Sequence, residues 1–411
     1  MRYCGKCPDG VIIEERRDSM KKSIFTDDYV TDNEPVIFPR EKIKNAAAVI
    51  GEKIPRECYD KGEAFAAEIE ERFVADFEKT GDKMAHVSTF AVMDGTIYMT
   101  YYANTKDPEE NPEFQTARFV YCPESDPENK VFFDVQAAGD ECSGKIIDRV
   151  YDTIMMSKDP DTIFIMWTAR TDENYYRFYR TFSLKDRKMS EVGVNRFKVG
   201  EVVNDFSASG IRSALTANGI GYKRMFNDVG IMQKLSSRVE NGVTYYYTGA
   251  YSGDFTCIIK SADLITWEYV AQPDFSNESK WENATYVSGD KCFYFVRQYD
   301  ESPYGFLTVY DLIEKSWSAP VLIDDCQSRS DFIEYNGNLY LFHAPVDRQH
   351  IGIVRINRDD ITKSEVMLRA HMHTSCFYPF VQYFGSELAM SYTIDRKHIR
   401  LAKFSPSRYF D

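Results

Sequence analysis

The sequence contains no apolar run that approaches the ~20 residues a membrane-spanning helix needs. Positive charge is also scarce, because 64 Asp and Glu residues outnumber 50 Lys and Arg residues and leave a formal net charge of -14. A net negative field disfavours nucleic acid and anionic membranes as partners. The sequence therefore predicts neither kind of partner, although a local arginine pocket can still bind an anionic sugar.

Signals for secretion and for disulfide bonding are scarce as well. The residues from Met1 to Gly10 contain no apolar core of the kind that a secretory signal needs. The nine cysteines are odd in number and scattered, which fits a reduced compartment better than a disulfide framework. Cys4 and Cys7 form one C-x-x-C pair, without a second pair at the spacing of a zinc site. We therefore expect a cytoplasmic protein with no metal and no other cofactor.

The most regular feature of the chain is a repeat with a period of about 48 residues. A turn with glycine, followed by a strand-like segment that is aromatic in most copies, recurs at Gly242, Gly289, Gly337 and Gly385. The steps between these glycines are 47, 48 and 48 residues. A period in this range with strand content is typical of propeller blades. The sequence therefore predicts an all-β fold, a β-propeller that concentrates its chemistry on one axial face.

Six blades are predicted. Five or seven blades are alternatives, because the spacing of the repeat is irregular over the first two blades. Their innermost strands are expected to open near His86, Tyr151, Asn227, Trp281, Arg329 and Tyr378. The last blade has only three strands, and a ring cannot leave that edge unpaired. We expect N-terminal strands around residues 11–17 or 35–39 to close it. The predicted division is 1–85 for these strands and a capping helix, and 86–411 for the propeller.

Two segments outside the regular repeat carry their own predictions. Residues 55–80 are predicted to form a helix, because phenylalanine or isoleucine recurs every fourth residue from Phe65 to Phe77 and makes an apolar stripe. This helix is expected to cap or buttress the propeller. Residues 198–223 are predicted to be an inserted loop with Gly and Ser punctuation, and loops of this length are usually functional or mobile.

Charged and aromatic residues stand at the starts of the predicted innermost strands. These starts surround the axis of a propeller, and an apolar strand needs no charge there. Glycoside cleavage needs an acid that protonates the leaving oxygen and a carboxylate that attacks carbon or activates water. We predict as catalytic residues Asp152, Asp228, Glu282, Asp331 in reserve, and His86. We predict as substrate-binding residues Arg149, Tyr151, Trp281, Asn283, Arg329, His373 and Tyr378.

Each of these residues also has a purely structural alternative, as a strand-end cap or as a salt bridge between blades. Arg329 and Asp331, for example, could pair with a neighbouring blade. His371 and His373 alternate along the chain, so both imidazoles could face one side and share a divalent ion. The sequence near them offers no third ligand, and the prediction for this pair is no metal.

One motif resembles a phrase of known propeller enzymes. The segment from Ser261 to Trp267, SADLITW, is similar to the S-x-D-L-x-x-W phrase of propeller glycosidases and to a shortened sialidase Asp-box. The segment from Tyr310 to Trp317 is a looser copy. Ser and Asp at these positions can accept hydrogen bonds from backbone amides of a turn, and the Trp can pack between sheets. The motif therefore marks the fold and not the site.

Over roughly residues 86–404 the chain resembles the bacterial neuraminidase-repeat, or sialidase-like, enzymes and related propeller glycosidases. Two departures qualify the resemblance. The Phe-Arg-Ile-Pro phrase that carries the first sialidase arginine is absent, and His86 stands where five-bladed furanosidase-type enzymes usually have an Asp. The resemblance implies a carbohydrate-active enzyme rather than one particular reaction.

Three function hypotheses follow. The first is a glycoside hydrolase acting on oligosaccharides, with axial carboxylates as acid and base or nucleophile. The second is a lyase of uronate-containing glycans, for which His86, Tyr151, Arg149 and Arg329 would suit proton abstraction. The third is a propeller that binds glycan or protein without catalysis, whose axial carboxylates pair with Arg and Lys. An oligosaccharide is the predicted partner, and no pattern indicates an oligomeric state.

Overall fold

The computed structural model describes residues 46–74, 77–273, 279–298, 302–373 and 375–410. Cys4, Cys7 and the strands predicted at 11–17 and 35–39 lie outside these residues. Within the described part of the chain, no helix is long and apolar enough to cross a membrane. The first described elements are β1 (Val49–Ile50), α1 (Arg56–Glu68), β2 (Glu70–Val74) and α2 (Phe77–Thr80).

The first two sheets are built in chain order. The first contains β3 (Met84–Met93), β4 (Thr96–Asn104), β5 (Gln115–Pro123) and β6 (Val131–Ala137). A short hairpin follows, made of β7 (Glu141–Cys142) and β8 (Lys145–Ile146). The second sheet contains β9 (Arg149–Ser157), β10 (Thr162–Thr171), β11 (Asn174–Ser183), β12 (Lys188–Met189) and β13 (Gly193–Val194).

The third sheet includes the segment that the sequence predicted as an inserted loop. Its elements are β14 (Arg196–Val199), β15 (Val202–Asp205), α3 (Ala208–Ala217), β16 (Gly230–Ile231), β17 (Ser236–Glu240), β18 (Val243–Ser252), β19 (Phe255–Ser261) and β20 (Thr266–Ala271). The loop prediction is wrong for 198–217. There β14 and β15 extend the sheet beyond β20, and α3 buries Ile211 and Leu215 in the core next to it.

The remaining three sheets follow the 48-residue period. The fourth contains β21 (Ser279–Ser288), β22 (Lys291–Gln298), β23 (Gly305–Asp311), β24 (Ser316–Trp317) and β25 (Val321–Ile323), with β1 at its edge. The fifth contains β26 (Gln327–Tyr335), β27 (Asn338–Ala344), β28 (His350–Ile356) and β29 (Glu365–His371). The sixth contains β30 (Cys376–Phe384), β31 (Glu387–Ile394) and β32 (His398–Phe404). Short 3-10 turns lie at Pro112–Phe114, Ile361–Lys363 and Pro406–Arg408.

The described residues thus form six sheets of four or more strands, and each sheet packs on the next through an apolar core. Phe380 of the last sheet and Met99 of the first lie in one core, and β30 packs against β3, so the ring is closed. The predicted all-β propeller is confirmed, within the range of five to seven blades that the spacing allowed.

The sixth sheet is completed by β2, which pairs antiparallel with β32. A closing strand from the N-terminal segment was predicted, but the strand seen here, Glu70–Val74, lies inside the helix predicted over 55–80. The helix ends at Glu68. A spacing of four residues keeps side chains on one face of a helix and also on one face of a strand, because four is a multiple of two. The pattern therefore could not locate the change from helix to strand.

Helix α1 packs on β29, the outer strand of the fifth sheet. Its Phe65 is fully buried and meets Phe404 and Tyr409 edge-on, with ring centroids 5.0 and 5.2 Å apart. Gly62 allows the close approach, since a Cβ there would lie 1.8 Å from the carbonyl oxygen of Arg369. The helix therefore joins the outer edges of two neighbouring sheets.

The turn motif behaves as its sequence predicted. Asp263 accepts hydrogen bonds from the amides of Ile265 and Thr266, both at 2.8 Å. Ser261 accepts one from Leu264 at 2.9 Å, and the side chain of Trp267 is fully buried. The structural role of the motif is confirmed.

Candidate active site

Five of the six innermost strands carry a β-bulge near their start, where the pairing with the second strand is interrupted. The interruptions span His86–Thr89, Tyr151–Ile154, Ser279–Asn283, Gln327–Asp331 and Phe377–Phe380. In the third sheet, β16 and β17 are separated at the equivalent place. A bulge bends its strand and changes the direction of a side chain. The predicted strand-start residues therefore sit where the backbone departs from regular alternation.

Four of the bulges share an unusual backbone conformation. Their first residues have positive φ angles: 57° for Val87, 53° for Asp152, 73° for Ser328 and 55° for Tyr378. Few non-glycine residues adopt this left-handed conformation, which is disfavoured most for β-branched side chains such as Val87. Such strain concentrates at functional sites because the surrounding structure must hold it in place. The repeat thus places one strained position at the same end of four sheets.

Asp152 is the centre of a buried hydrogen-bond network. One carboxylate oxygen accepts from Arg329 at 2.5 Å, and the other accepts from Arg177 at 3.1 Å and from the hydroxyl of Tyr251 at 3.0 Å. Burial raises the pKa of Asp152, but the charges of Arg329 and Arg177 outweigh burial and lower it. Asp152 is therefore an ionised anchor that links the second, third and fifth sheets.

Glu282 and Tyr378 form the second part of the site. The Tyr378 hydroxyl donates a hydrogen bond to the Glu282 carboxylate, which also pairs with Arg297. Burial raises the pKa of Glu282, but the charges of Arg297 and Arg329 lower it below its usual value. Burial and the negative Glu282 raise the pKa of Tyr378. A neutral phenol therefore faces an ionised carboxylate that can accept its proton.

The ring of Tyr378 is held on two sides. His86 stacks on it with ring centroids 4.6 Å apart, and the guanidinium of Arg329 lies 5.3 Å from its centroid. His86 is fully buried, and neither ring nitrogen has a hydrogen-bond partner among the described residues. Burial, followed by the charges of Arg396 and Arg329, lowers the pKa of His86 well below its usual value. His86 is therefore a neutral imidazole against the phenol.

Arg348 gives the site an arginine without a carboxylate partner. It lies in the loop between β27 and β28, and it makes no ion pair with the described residues. Burial and the charge of Arg297 lower the pKa of Arg348, and with Arg396 they outweigh the opposing effect of Tyr378 and Glu282. Arg396 itself is paired with Glu110, which also accepts from Tyr102 at 2.5 Å. This side of the site therefore favours an added negative charge.

The second and third sheets contribute a more open edge. Arg149 donates to the Tyr175 hydroxyl at 3.1 Å and pairs with Glu113 at 2.9 Å. The ring of Tyr151 meets that of Tyr175 edge-on at 5.6 Å, and burial together with the charge of Asp228 raises its pKa. Asp228 accepts from the amide of Gly253 at 3.0 Å and is only partly buried.

Asp331 lies two residues beyond Arg329 but belongs to a different network. Its carboxylate pairs with Lys234 at 3.1 Å and accepts from the amide of Val381 at 2.7 Å. Lys234 also donates to the carbonyl of Val381. Since Lys234 lies in the segment between β16 and β17 of the third sheet, and Val381 is on β30 of the sixth, this buried pair crosses the central channel below the strand starts.

The structure places two other predicted residues, Asn283 and His373, apart from the Asp152 and Glu282 networks. Asn283 is fully buried and donates to the Ala250 carbonyl and the Thr256 hydroxyl, so it joins the third and fourth sheets. His373 stacks on Tyr392 and lies 3.4 Å from Glu71, on the outer part of the sixth sheet. Trp281 is in β21, and its side chain lies outside the described part of the structure.

The predicted histidine pair is separated. His371 meets His350 edge-on, with centroids 5.0 Å apart, whereas His373 faces Glu71. Among the described residues, no cluster of three or more His, Cys, Asp or Glu side chains could hold a metal ion.

Several site residues were missed by sequence reasoning because they are not at strand starts. Arg177 and Arg297 are on β11 and β22, and Tyr251 is near the end of β18. Arg348 and Arg396 are in loops that reach the same end of the ring. One signal was available for Arg297, which follows the fully apolar run 292–296 within a buried strand, where a charge is unusual.

Comparisons with known proteins address the fold. No family model matches the sequence, and no curated protein matches it either. Among solved structures, the chain is similar to the Hadza microbial sialidase Hz136, with 10% identity over 80% of this chain and 67% of that chain and a TM-score of 0.55. It is also similar to a glycosyl hydrolase from Bacteroides ovatus, with 13% identity over 79% of this chain and 85% of that chain and a TM-score of 0.42. At these identities the likeness is one of fold, and the sialidase-like propeller predicted from the sequence is confirmed as a fold.

Proposed function

We propose that this protein is a glycoside hydrolase that cleaves an oligosaccharide at an acidic sugar, with Tyr378 and Glu282 as its reacting pair. The observation that carries the proposal is the hydrogen bond from Tyr378, a partly exposed residue, to the ionised Glu282 carboxylate. Tyrosine acts as the nucleophile in one class of glycoside hydrolase. An adjacent base is what activates a weak hydroxyl nucleophile.

The proposed reaction has two steps. In the first, the phenolic oxygen of Tyr378 bonds to the anomeric carbon as the glycosidic bond breaks, and Glu282 takes the phenolic proton. The leaving oxygen takes a proton from Asp228, the predicted carboxylate that remains partly exposed beside Tyr151. In the second step a water molecule replaces tyrosine at the anomeric carbon, Asp228 takes the proton that the water loses, and Glu282 returns its proton to the phenolic oxygen. Asp152 positions Arg329 and does not transfer a proton, because its carboxylate is ionised and accepts hydrogen bonds from three donors.

The arginines support an acidic substrate. Arg297 and Arg329 are already paired with Glu282 and Asp152, whereas Arg348 makes no ion pair with the described residues. A sugar carboxylate can accept two parallel hydrogen bonds from a guanidinium group. It would also offset the mutual repulsion between Arg348 and its neighbours Arg297 and Arg396.

A lyase is the second candidate, and His86 is the observation that favours it. A neutral imidazole with two unpartnered nitrogens, stacked on Tyr378, is suited to removing a proton beside a uronate carboxyl group. Arg329 and Arg348 would then stabilise the charge that develops on the carboxylate.

One experiment separates the two candidates. Acidic oligosaccharides containing sialate or uronate are incubated with the full chain, with Tyr378→Phe and with Tyr59→Phe, and products are followed by chromatography and by the ultraviolet absorbance of an unsaturated uronate. Tyr59 is the control, since it is an exposed tyrosine on α1 that lines neither end of the channel. New reducing ends without absorbance, lost in Tyr378→Phe and kept in Tyr59→Phe, support the hydrolase. Rising absorbance overturns it in favour of the lyase, and binding without any product favours a carbohydrate-binding propeller.

A further inference from the structure

A cavity of about 310 Å³ lies at the other end of the innermost strands from the candidate active site. Its lining includes Val92 of β3, Met156 of β9 and Tyr383 of β30, together with Gln233 from the segment between β16 and β17. Ser157 lies five residues beyond Asp152 on β9, a distance of about 16 Å along an extended strand. The cavity volume is at the lower end of the range for small-molecule sites, about 300 to 1,000 Å³.

The two ends of the channel are separated by the buried pair of Lys234 and Asp331. Lys234, between β16 and β17, donates a hydrogen bond to the Val381 carbonyl of the sixth sheet. Its ammonium nitrogen lies 4.6 Å from the centroid of the Phe380 ring. Gln233 and Gln382 are the direct chain neighbours of Lys234 and Val381, and both line the cavity. The bridge therefore lies next to the cavity, between it and the candidate active site.

The cavity lining contains no charged side chain, but it contains two carboxamides that are not used by the protein. Gln233 is only 4% exposed, and its carbonyl oxygen has no hydrogen-bond partner. Within the described residues, the side chain of Gln382 makes no hydrogen bond either. Buried amides normally have partners, so an unpaired one indicates a missing donor or acceptor. Each carboxamide both donates and accepts, as a hydroxyl group does.

The rim of the cavity offers a fixed aromatic surface. Tyr383 is 49% exposed, and its hydroxyl donates to the Glu334 carbonyl at 2.6 Å, which holds the ring in place. Met155 and Met156 form part of the wall, and their flexible side chains adapt to ligands of irregular shape. Most of the accessible lining surface is polar, which suits a hydroxyl-rich ligand better than an apolar one.

We infer that this cavity is a second ligand site, which binds one residue of a neutral, hydroxyl-rich sugar. The carboxamides of Gln233 and Gln382 exchange hydrogen bonds with its hydroxyl groups, and the face of Tyr383 covers its C–H surface at the rim. An acidic sugar is disfavoured, because no cation of the lining would offset the loss of its hydration. The inference stands independently of the proposed function, since it involves no residue of the Tyr378 and Glu282 pair.

The test is ligand-detected saturation-transfer NMR with lactose and methyl β-galactoside as probes. The proteins are the full chain, Gln233→Met, Gln382→Met and Gln349→Met. Methionine matches the length of glutamine and lacks its hydrogen bonds, and Gln349 is an exposed glutamine in the loop between β27 and β28. Thermal melting shows whether Gln233→Met still folds. If it does not, Gln382→Met remains as the test, because Gln382 is partly exposed and its substitution should be tolerated.

The expected result is saturation transfer to at least one probe, with a Kd that rises at least tenfold in Gln233→Met or Gln382→Met and is unchanged in Gln349→Met. A crystal soaked in the same sugar should show it beside both carboxamides. Binding that neither cavity variant weakens places the sugar elsewhere and overturns the inference. A cavity that holds only water in the soaked crystal, or no transfer to either probe, overturns it as well.

Discussion

The guanidinium of Arg329 donates a hydrogen bond to Oδ1 of Asp152 at 2.5 Å, across the central channel from the fifth sheet to the second. Both side chains are almost completely buried. Arg177 and Tyr251 occupy the other carboxylate oxygen, so Asp152 holds three donors from three sheets. This arrangement fixes the guanidinium of Arg329 beside Tyr378 and couples the candidate site to the integrity of the ring.

The first prediction concerns this network. Asp152→Asn leaves Arg329 and Arg177 buried without a negative partner, and removing one member of a buried ion pair costs about 3–5 kcal/mol. We expect a loss of that size in the free energy of unfolding from urea titrations. Asp148→Asn is the control on the same sheet, since its pair with Arg170 is partly exposed and should contribute less than about 1 kcal/mol. Equal losses in the two variants would show that the network does not stabilise the ring.

The second prediction concerns substrate binding by Arg348. Arg348→Met removes a charged hydrogen-bond donor worth about 1.5–3 kcal/mol, so KM for an acidic oligosaccharide should rise roughly 10- to 100-fold while kcat changes little. Steady-state kinetics on the substrate found by the product screen measure both constants. Arg355→Met is the control, because Arg355 pairs with Glu365 on the outer strands of the same sheet. A KM that stays unchanged in Arg348→Met rules out a carboxylate at this arginine.

The sequence was sufficient to predict which residues lie at the starts of the innermost strands. It was insufficient to predict which side chains these residues contact. Asp152, Glu282, Arg329 and Tyr378 could be named because the repeat period locates each innermost strand. The bulges could not be predicted, because an extra residue reverses the alternation that assigns side chains to one face. In the fifth sheet the interruption is longer still, since a step of four residues from Gln327 to Asp331 lies opposite a step of two from Ala344 to Phe342. Asp331 follows Arg329 by two residues, yet it pairs with Lys234 deeper in the channel.

The hydrogen-bond and ion-pair partners of the site residues could not be predicted from the sequence, for a related reason. Arg177 stands on β11 between aromatic residues, where an arginine usually faces solvent, and only the assembled ring shows that it is fully buried. The contact between Asp152 and Arg329 joins residues of different repeats. The period of a repeat sets positions within one sheet and contains no information on which side chains of different sheets meet on the axis.

The third prediction is a pH dependence of stability that originates at Asp331. Burial raises the pKa of this carboxyl group to about 6, against the attraction of Lys234. In the unfolded chain an aspartate titrates near 3.9. At pH values between about 3.9 and about 6, the folded state binds more protons than the unfolded state. The free energy of unfolding therefore falls as the pH rises through this range. The contribution is complete below about pH 3.9, is lost as the pH rises through about 6, and amounts to roughly 2–3 kcal/mol.

Asp331→Asn isolates this contribution, because the amide keeps an acceptor for the backbone N–H of Val381 and cannot titrate. Urea unfolding of the parent protein and of the variant is measured in small steps from about pH 4 to pH 7. The difference in unfolding free energy between the two proteins should change across this range and level off above about pH 6. A constant difference would mean that Asp331 ionises near its ordinary pKa.

The last prediction concerns the docking of α1 on β29. Ala is a better helix former than Gly by about 1 kcal/mol, so Gly62→Ala would stabilise an undocked helix. A Cβ at position 62 would lie 1.8 Å from the carbonyl oxygen of Arg369, however, and backbone atoms cannot move away as a side chain end can. We therefore expect a net loss of about 1–3 kcal/mol, the usual cost of overpacking. Cys58 reports the docking directly, because its thiol is buried on α1 and donates to the Val366 carbonyl.

Thiol labelling followed by mass spectrometry of the Cys58 peptide makes the comparison quantitative. Labelling should be faster in Gly62→Ala than in the parent protein. Gly221→Ala is the matched control, since a Cβ at that position meets no atom within 4 Å. It should leave both the labelling rate of Cys58 and the unfolding free energy unchanged within about 0.5 kcal/mol. If Gly62→Ala labels as slowly as the control, the close approach of α1 to the fifth sheet is not required for docking, and helix propensity alone decides the sign of the change.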